Sequence, residues 1–277
     1  MKARIVQFSP MLGNVEWNFN YHASKIKDAI NEKIDLIVFP ELSLTGYQLK
    51  DIIYDIPKDN IDKIIIDFME LSKDIDIVIG LPFEESQGIF YNSALYFSEG
   101  KILHNHKKVQ LPNFGMFEEK MIFKAGNSFK SFRTGNLTVG ILICREILFP
   151  VNAYLYHLQN TDLIISVSNS PHRGMGPNGF ESHKLWERLG EVYSIHYHQN
   201  FIFCNRTGFE DGIGFGGGSF YASSGKGIVN MGKYFDEQCI NCEIDDESIR
   251  RSRIGSNYLR DEKPDIILKE MNRIINE

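Results

Sequence analysis

Residues 35–47, DLIVFPELSLTGY, run from an unbroken apolar stretch straight into a carboxylate. A short apolar run ending in Pro40 reads as a strand buried on both faces, the kind found inside a parallel or mixed sheet. Upstream, Arg4–Phe8 reads as a strand and residues 16–32 as a helix, with Phe19, Ala23, Ile26, Ile30 and Ile34 at steps of three and four. Together these form a βαβ opening. A helix over Ile61–Leu71 and a strand IDIVIGLP extend it.

The same alternation continues toward the C-terminus. YNSALYF and KILHNHKKVQ flank Ser98-Glu99-Gly100 as a hairpin, and LTVGILIC leads to a helix over 150–158. TDLIISVS is a further buried strand, and a long helix over 179–198 precedes FIFCN. GGGSFYAS and KGIVNMG form a hairpin around Ser224-Gly225, and CINCEID is a last strand before a charged helical tail. Nothing divides the 277 residues, so a single α/β domain over 1–277 is expected. Two long connections, 110–128 and 168–180, are candidate functional loops.

The composition is 43% hydrophobic and 24% charged, which describes a globular chain with a sizeable core. A net charge of −6 disfavours nucleic acid as a partner, because phosphate backbones attract the opposite sign. No apolar run reaches the roughly 18 residues of a membrane span, and MKARIVQFSP lacks a signal peptide's apolar core, so a cytoplasmic location is expected. Cys239 and Cys242 have the gap of a zinc or redox pair, but on a strand they face opposite ways, about 10 Å apart. No second ligand pair lies near them, so they read as structural, as does Cys204 within FIFCN.

Three residues carry chemical potential from their positions. Glu41 ends a buried strand, where desolvation favours a general base. Lys108 ends a strand at the mouth of the first long loop, as a fixed cation would; alternation turns Lys107 the other way. Cys144, in GILICREILFP (140–150), sits between a strand end and a helix start, where a turn can expose the sulfur and aim N–H groups at its target. None of the eight histidines is marked as a partner base.

FPELSLTGY, KKVQLPNFGMFEEKMIF and GILICREILFP, in this order, resemble the three signature regions of the nitrilase or carbon–nitrogen hydrolase superfamily. LSLTGYQLKDIIYD, LPNFGMFEEKMIFKAGN, SNSPHRG, GGGSF and LRDEKPDI are similar to the glutaminase domain of glutamine-dependent NAD synthetases. The resemblance implies a four-layer αββα sandwich and a catalytic Glu41, Lys108 and Cys144, with Glu119 as a fourth participant. It implies a stand-alone amidase that releases ammonia from a small carboxamide, glutamine or a related ω-amide, with no metal or organic cofactor. It also implies a homodimer or higher assembly.

Phe114, Arg145, Ser168, Asn169 and His172 are expected to contact the substrate. Arg145 departs from the family pattern after the cysteine; it would either bind a substrate carboxylate or pair with Glu146 or another acid, and the structural pairing is slightly favoured. N-carbamoyl or aliphatic amides would suit the same residues, and a nitrile would suit them least. An ammonia-supplying subunit of a separate synthetase is a further reading, and a regulatory binding protein on the same scaffold is the non-enzymatic one.

Overall fold

A computed structural model of the chain describes residues 1–176, 179–256 and 258–277. Its two large sheets use strands β1 (Lys2–Gln7), β2 (Leu36–Val38), β3 (Asp76–Ser86), β4 (Ile89–Ser98), β5 (Lys101–Lys107), β6 (Phe132–Thr134), β7 (Leu137–Ile143), β8 (Leu163–Ser168), β9 (Asn200–Asn205), β10 (Phe220–Ser223), β11 (Gly227–Met231) and β12 (Gln238–Glu243). The first sheet has the order β12-β1-β2-β3-β4-β5 and the second β11-β10-β9-β8-β7-β6, six strands each. The helices that cover them are α1 (Val15–Asn31), α2 (Lys58–Leu71), α3 (Pro150–Leu158) and α4 (Glu181–His196).

The two sheets are built alike. In each, three central strands are parallel and joined through two helices, β1-α1-β2-α2-β3 and β7-α3-β8-α4-β9, with antiparallel strands outside them. Parallel strands need such crossovers, and a right-handed crossover places its helix on the sheet's face.

Alternation along the strands then assigns the layers. Ile5, Val38 and Val78 of the first sheet pack with Ile141, Ile143, Ile165, Val167 and Ile202 of the second. The intervening residues Val6, Ile37, Ile77 and Ile79 point outward to Ile26 of α1 and Phe68 of α2. Likewise Leu142, Ile164, Phe201 and Phe203 pack on Tyr156 of α3 and on Trp186 and Tyr193 of α4. The result is helix on sheet on sheet on helix, the αββα sandwich implied by the resemblance.

Several sequence-based boundaries shift. The α1 stripe is rotated from the expected one: its buried residues are Asn18, His22, Ile26 and Ala29, while Phe19 and Ile30 are half-buried. Hydrogen bonding outweighs apolarity here. Asn18 Nδ2 donates to the backbone oxygens of Met11 and Leu44 at 2.8 and 2.9 Å, and His22 Nε2 lies 2.9 Å from Ser43 Oγ. Burial pushes the His22 imidazole down to about 4, so it is neutral at physiological pH. Both residues tie α1 to the segment that carries Glu41.

Each long connection holds short structure that periodicity could not reveal. The first contains the hairpin Asn113–Phe114/Phe117–Glu118 and one helical turn, Glu119–Ile122. The second includes residues 177 and 178, which lie outside the described residues. Residue 257 of the charged tail also lies outside them, between Asp246–Ser256 and the helices Tyr258–Asp261 and Pro264–Asn276. Cys239 is exposed and Cys242 buried, on opposite faces of β12, and all four cysteines are free thiols. Among the described residues no helix is long and apolar enough to cross a membrane.

Candidate active site

Glu41 and Lys108 follow β2 and β5 of one sheet, while Cys144 follows β7 of the other, so the strand ends of the two sheets meet at one place. The Glu41 segment lies hard against β3. A Cβ on Gly80 would fall 2.3 Å from the Leu42 nitrogen and 2.6 Å from the Pro40 oxygen, so only glycine admits this approach.

Lys108 Nζ donates to Glu41 Oε1 at 2.6 Å and to Glu119 Oε1 at 2.7 Å. Asn92 Nδ2, from β4, donates to Glu41 Oε1 at 2.7 Å, and Tyr47 Oη donates to Glu119 Oε1 at 2.7 Å. Asn169 holds Glu41 twice, its N–H on Oε2 and its Nδ2 on the backbone oxygen, both at 2.8 Å. All these residues are buried. Burial opposes the Lys108 charge, but Glu119, Glu41 and Cys144 outweigh it and raise the ammonium's pKa. Burial raises the Glu119 carboxyl, against Lys108, and Glu41 adds to the rise.

Cys144 has φ +46°, the left-handed region that a β-carbon disfavours, at the start of a 3₁₀ turn over Cys144–Leu148. Such a conformation persists only where its surroundings enforce it. Glu146 is the enforcing residue. Its Oε2 accepts from Ile143 N–H at 2.7 Å and lies 2.7 Å from His106 Nε2; its Oε1 accepts from Val109 N–H at 2.6 Å. Val109 is next to Lys108, so one carboxylate fixes both the cysteine turn and the lysine. Burial pushes the Cys144 thiol up to about 12, with Glu41 and Glu119 adding to the rise and Lys108 opposing it. At neutral pH the resting group is therefore a thiol, which becomes nucleophilic only when a base takes its proton.

Cys144 opens on a cavity of about 200 Å³ walled by Phe114, Phe117, Arg145, Leu148, Arg173 and Trp186, among others. A recess near Ile61 and Phe90 holds only about 20 Å³, less than one water's share of liquid volume. Arg145 is not paired with Glu146, whose oxygens are occupied by the three partners above. Its guanidinium instead lies over the Phe114 ring, 4.6 Å from the centroid.

The other expected contact residues divide. Ser168 is buried, and among the described residues its hydroxyl has no hydrogen-bond partner. Asn169 braces Glu41, and neither residue is among those lining the cavity. The His172 ring packs 4.6 Å from Phe180 and 5.3 Å from Phe235, also off that lining. Lys107 points away, onto the Tyr91 ring at 4.4 Å.

Sequence reasoning passed over Tyr47, Asn92 and Arg173, and took Glu146 only as a partner for Arg145. Asn92 had a signal, since a buried strand rarely holds an unexplained amide. A further brace, Glu210, accepts from Tyr47 N–H and Gln48 N–H at 2.8 and 2.7 Å. Its other oxygen accepts from buried Arg206 at 2.5 Å. Among the described residues no cluster of His, Cys, Asp and Glu could hold a metal ion.

Comparison with known proteins gives a consistent placing. The chain is 30% identical over 259 residues to a glutamine-dependent NAD(+) synthetase of Thermotoga maritima, covering 92% of this chain but 44% of that protein. It is 27% identical over 267 residues to a nitrilase of Pyrococcus abyssi, covering 92% and 94% of the two chains. In structure it is similar to a carbon-nitrogen hydrolase from Helicobacter pylori G27, with a TM-score of 0.89 at 21% identity, over 98% of each chain. Residues 2–254 match the family model for carbon-nitrogen hydrolases, and with that match the chain belongs to the carbon-nitrogen hydrolase family.

Proposed function

We propose that the chain hydrolyses the C–N bond of a small carboxamide through a thioester on Cys144, releasing ammonia and a carboxylate. The observation that carries this is the buried Glu41–Lys108–Glu119 cluster beside a thiol that stands at the floor of a cavity. The similarity to an NAD synthetase that depends on glutamine and to a nitrilase supports the C–N bond as the target.

In this mechanism Glu41 takes the Cys144 proton as sulfur attacks the amide carbon. The negative charge that gathers on the amide oxygen meets Lys108 Nζ and the Arg145 N–H, which the first turn of a helix leaves without an internal partner. Collapse of the tetrahedral species breaks the C–N bond, and Glu41 passes its proton to the departing ammonia. Water, deprotonated by Glu41, then attacks the thioester, and the thiol is regenerated. Glu119, whose carboxyl burial raises, accepts from Lys108 Nζ and positions it.

N-carbamoyl and aliphatic amides remain alternatives within the same chemistry. Cytoplasmic placement, a homodimer or larger assembly, and a synthetase that consumes the ammonia are proposals of the same standing. The test is ammonia release from a panel of ω-amides, aliphatic amides, N-carbamoyl amines and nitriles. Carboxamides are expected to lead the panel, and release from nitriles alone would overturn the reading.

A further inference from the structure

The cavity above Cys144 is apolar along most of its wall, yet two arginines line it, Arg145 half-buried and Arg173 exposed. Arg145 Cζ lies 4.6 Å from the Phe114 ring centroid, and Arg173 Cζ lies 5.1 Å from that of Phe117. The two rings meet edge to face at 5.3 Å, so the arginines belong to one aromatic-backed frame. Among the described residues neither side chain makes an ion pair or a hydrogen bond, and the cavity wall includes no Asp or Glu. Stacking fixes the plane of a guanidinium but consumes none of its five N–H donors.

Two unneutralised cations at one cavity run against the chain's overall balance of 36 acidic to 30 basic residues. The acid nearest Arg145 in sequence, Glu146, is engaged by His106, Val109 and Ile143, and the one nearest Arg173, Glu181, pairs with Lys184. A ligand anion is the partner these arginines lack, and a planar carboxylate matches the guanidinium fork.

We propose that Arg145 and Arg173 select an amide that carries a carboxylate at the far end of a short apolar acyl chain and carries no ammonium group. The cavity, about seven water volumes, suits a short acyl chain. An ammonium beside that carboxylate would meet two like charges and no acid of the wall, so glutamine is disfavoured against its deaminated counterpart. The inference rests on the amidase reading of the same site and narrows its substrate.

Three amides matched in length separate the cases: glutaramate, an anion; pentanamide, neutral; and L-glutamine, a zwitterion. With the unmodified protein, kcat/KM for glutaramate is expected to exceed that for each of the others by on the order of 10²-fold, the value of two charge-assisted hydrogen bonds. Arg145→Gln and Arg173→Gln should each reduce the glutaramate-to-pentanamide ratio about tenfold or more, through KM for glutaramate, while Arg145→Lys keeps part of it as a point charge. Thermal midpoints measured alongside identify a misfolded variant, and the ranking by the unmodified protein stands without any variant. Pentanamide or glutamine turned over as well as glutaramate, or a ratio unmoved in both glutamine variants, would overturn the selection and leave the amidase reading standing. No release from any of these amides or from the wider panel overturns both.

Discussion

Cys144→Ala is expected to lower ammonia release by about 10⁴-fold or more while the protein stays folded. The substitution removes one sulfur from a thiol whose backbone geometry is held by Glu146 and not by the sulfur itself. Alanine tolerates the left-handed φ no worse than cysteine does, since both carry a β-carbon. The far-ultraviolet spectrum should therefore match the parent's, with a stability loss of about 1 kcal/mol. Glu41→Gln should fall to the same floor, because it removes the base for a thiol that titrates near 12. Members of one catalytic unit do not add, so the double variant should be no worse than either single one. Measurable turnover by Cys144→Ala would remove the thiol from the mechanism.

Lys108→Met is expected to damage both activity and stability. It leaves two buried carboxylates, Glu41 and Glu119, bridged only by Asn92, which lies 2.7 Å from one and 3.4 Å from the other. Breaking a buried charge pair in this way typically costs about 3–5 kcal/mol, and losing one oxyanion donor typically costs about 10²–10³-fold in turnover. The loss of stability should depend on pH in a definite direction. Glu119 already titrates above the ordinary carboxylate range in the parent, and loss of the cation raises it further. A carboxyl whose folded pKa is raised stabilises the fold below its unfolded value and loses that contribution as pH climbs through the folded one. The variant's deficit against the parent should therefore be largest near pH 8 and shrink as the pH falls toward 5. Urea melts at both pH values measure this; an equal deficit at the two would show that the carboxylates do not carry the cost.

The parts of this fold that were legible in the sequence are those governed by periodicity. Parallel strands with crossover helices announce themselves as unbroken apolar runs between amphipathic stretches, and β1-α1-β2 followed that rule. The α1 stripe did not, because Asn18 and His22 gain more from partners in the Met11–Leu44 region than two apolar residues would from burial. Short elements such as Asn113–Phe114 and Phe117–Glu118 have no period to detect.

In the site, Glu41, Lys108 and Cys144 could be singled out because each stands in a marked local setting, and Glu119 through the family resemblance alone. Their supports could not. Glu146 acts on residues 37–40 positions away, and Glu210 holds Tyr47 across 163 positions, relations that exist only after folding. Arg145 shows the limit most clearly: adjacency to Glu146 favoured a pair, but the turn sends one side chain inward and the other to the cavity.

The most direct test of the central claim is to quench the protein in acid during turnover of its fastest amide and locate the acyl mass by peptide mapping. The account predicts that mass on the peptide holding Cys144, decaying to free thiol as the amide is exhausted. Acyl mass on any other peptide, or a single turnover of ammonia with Cys144 unmodified throughout, would contradict it.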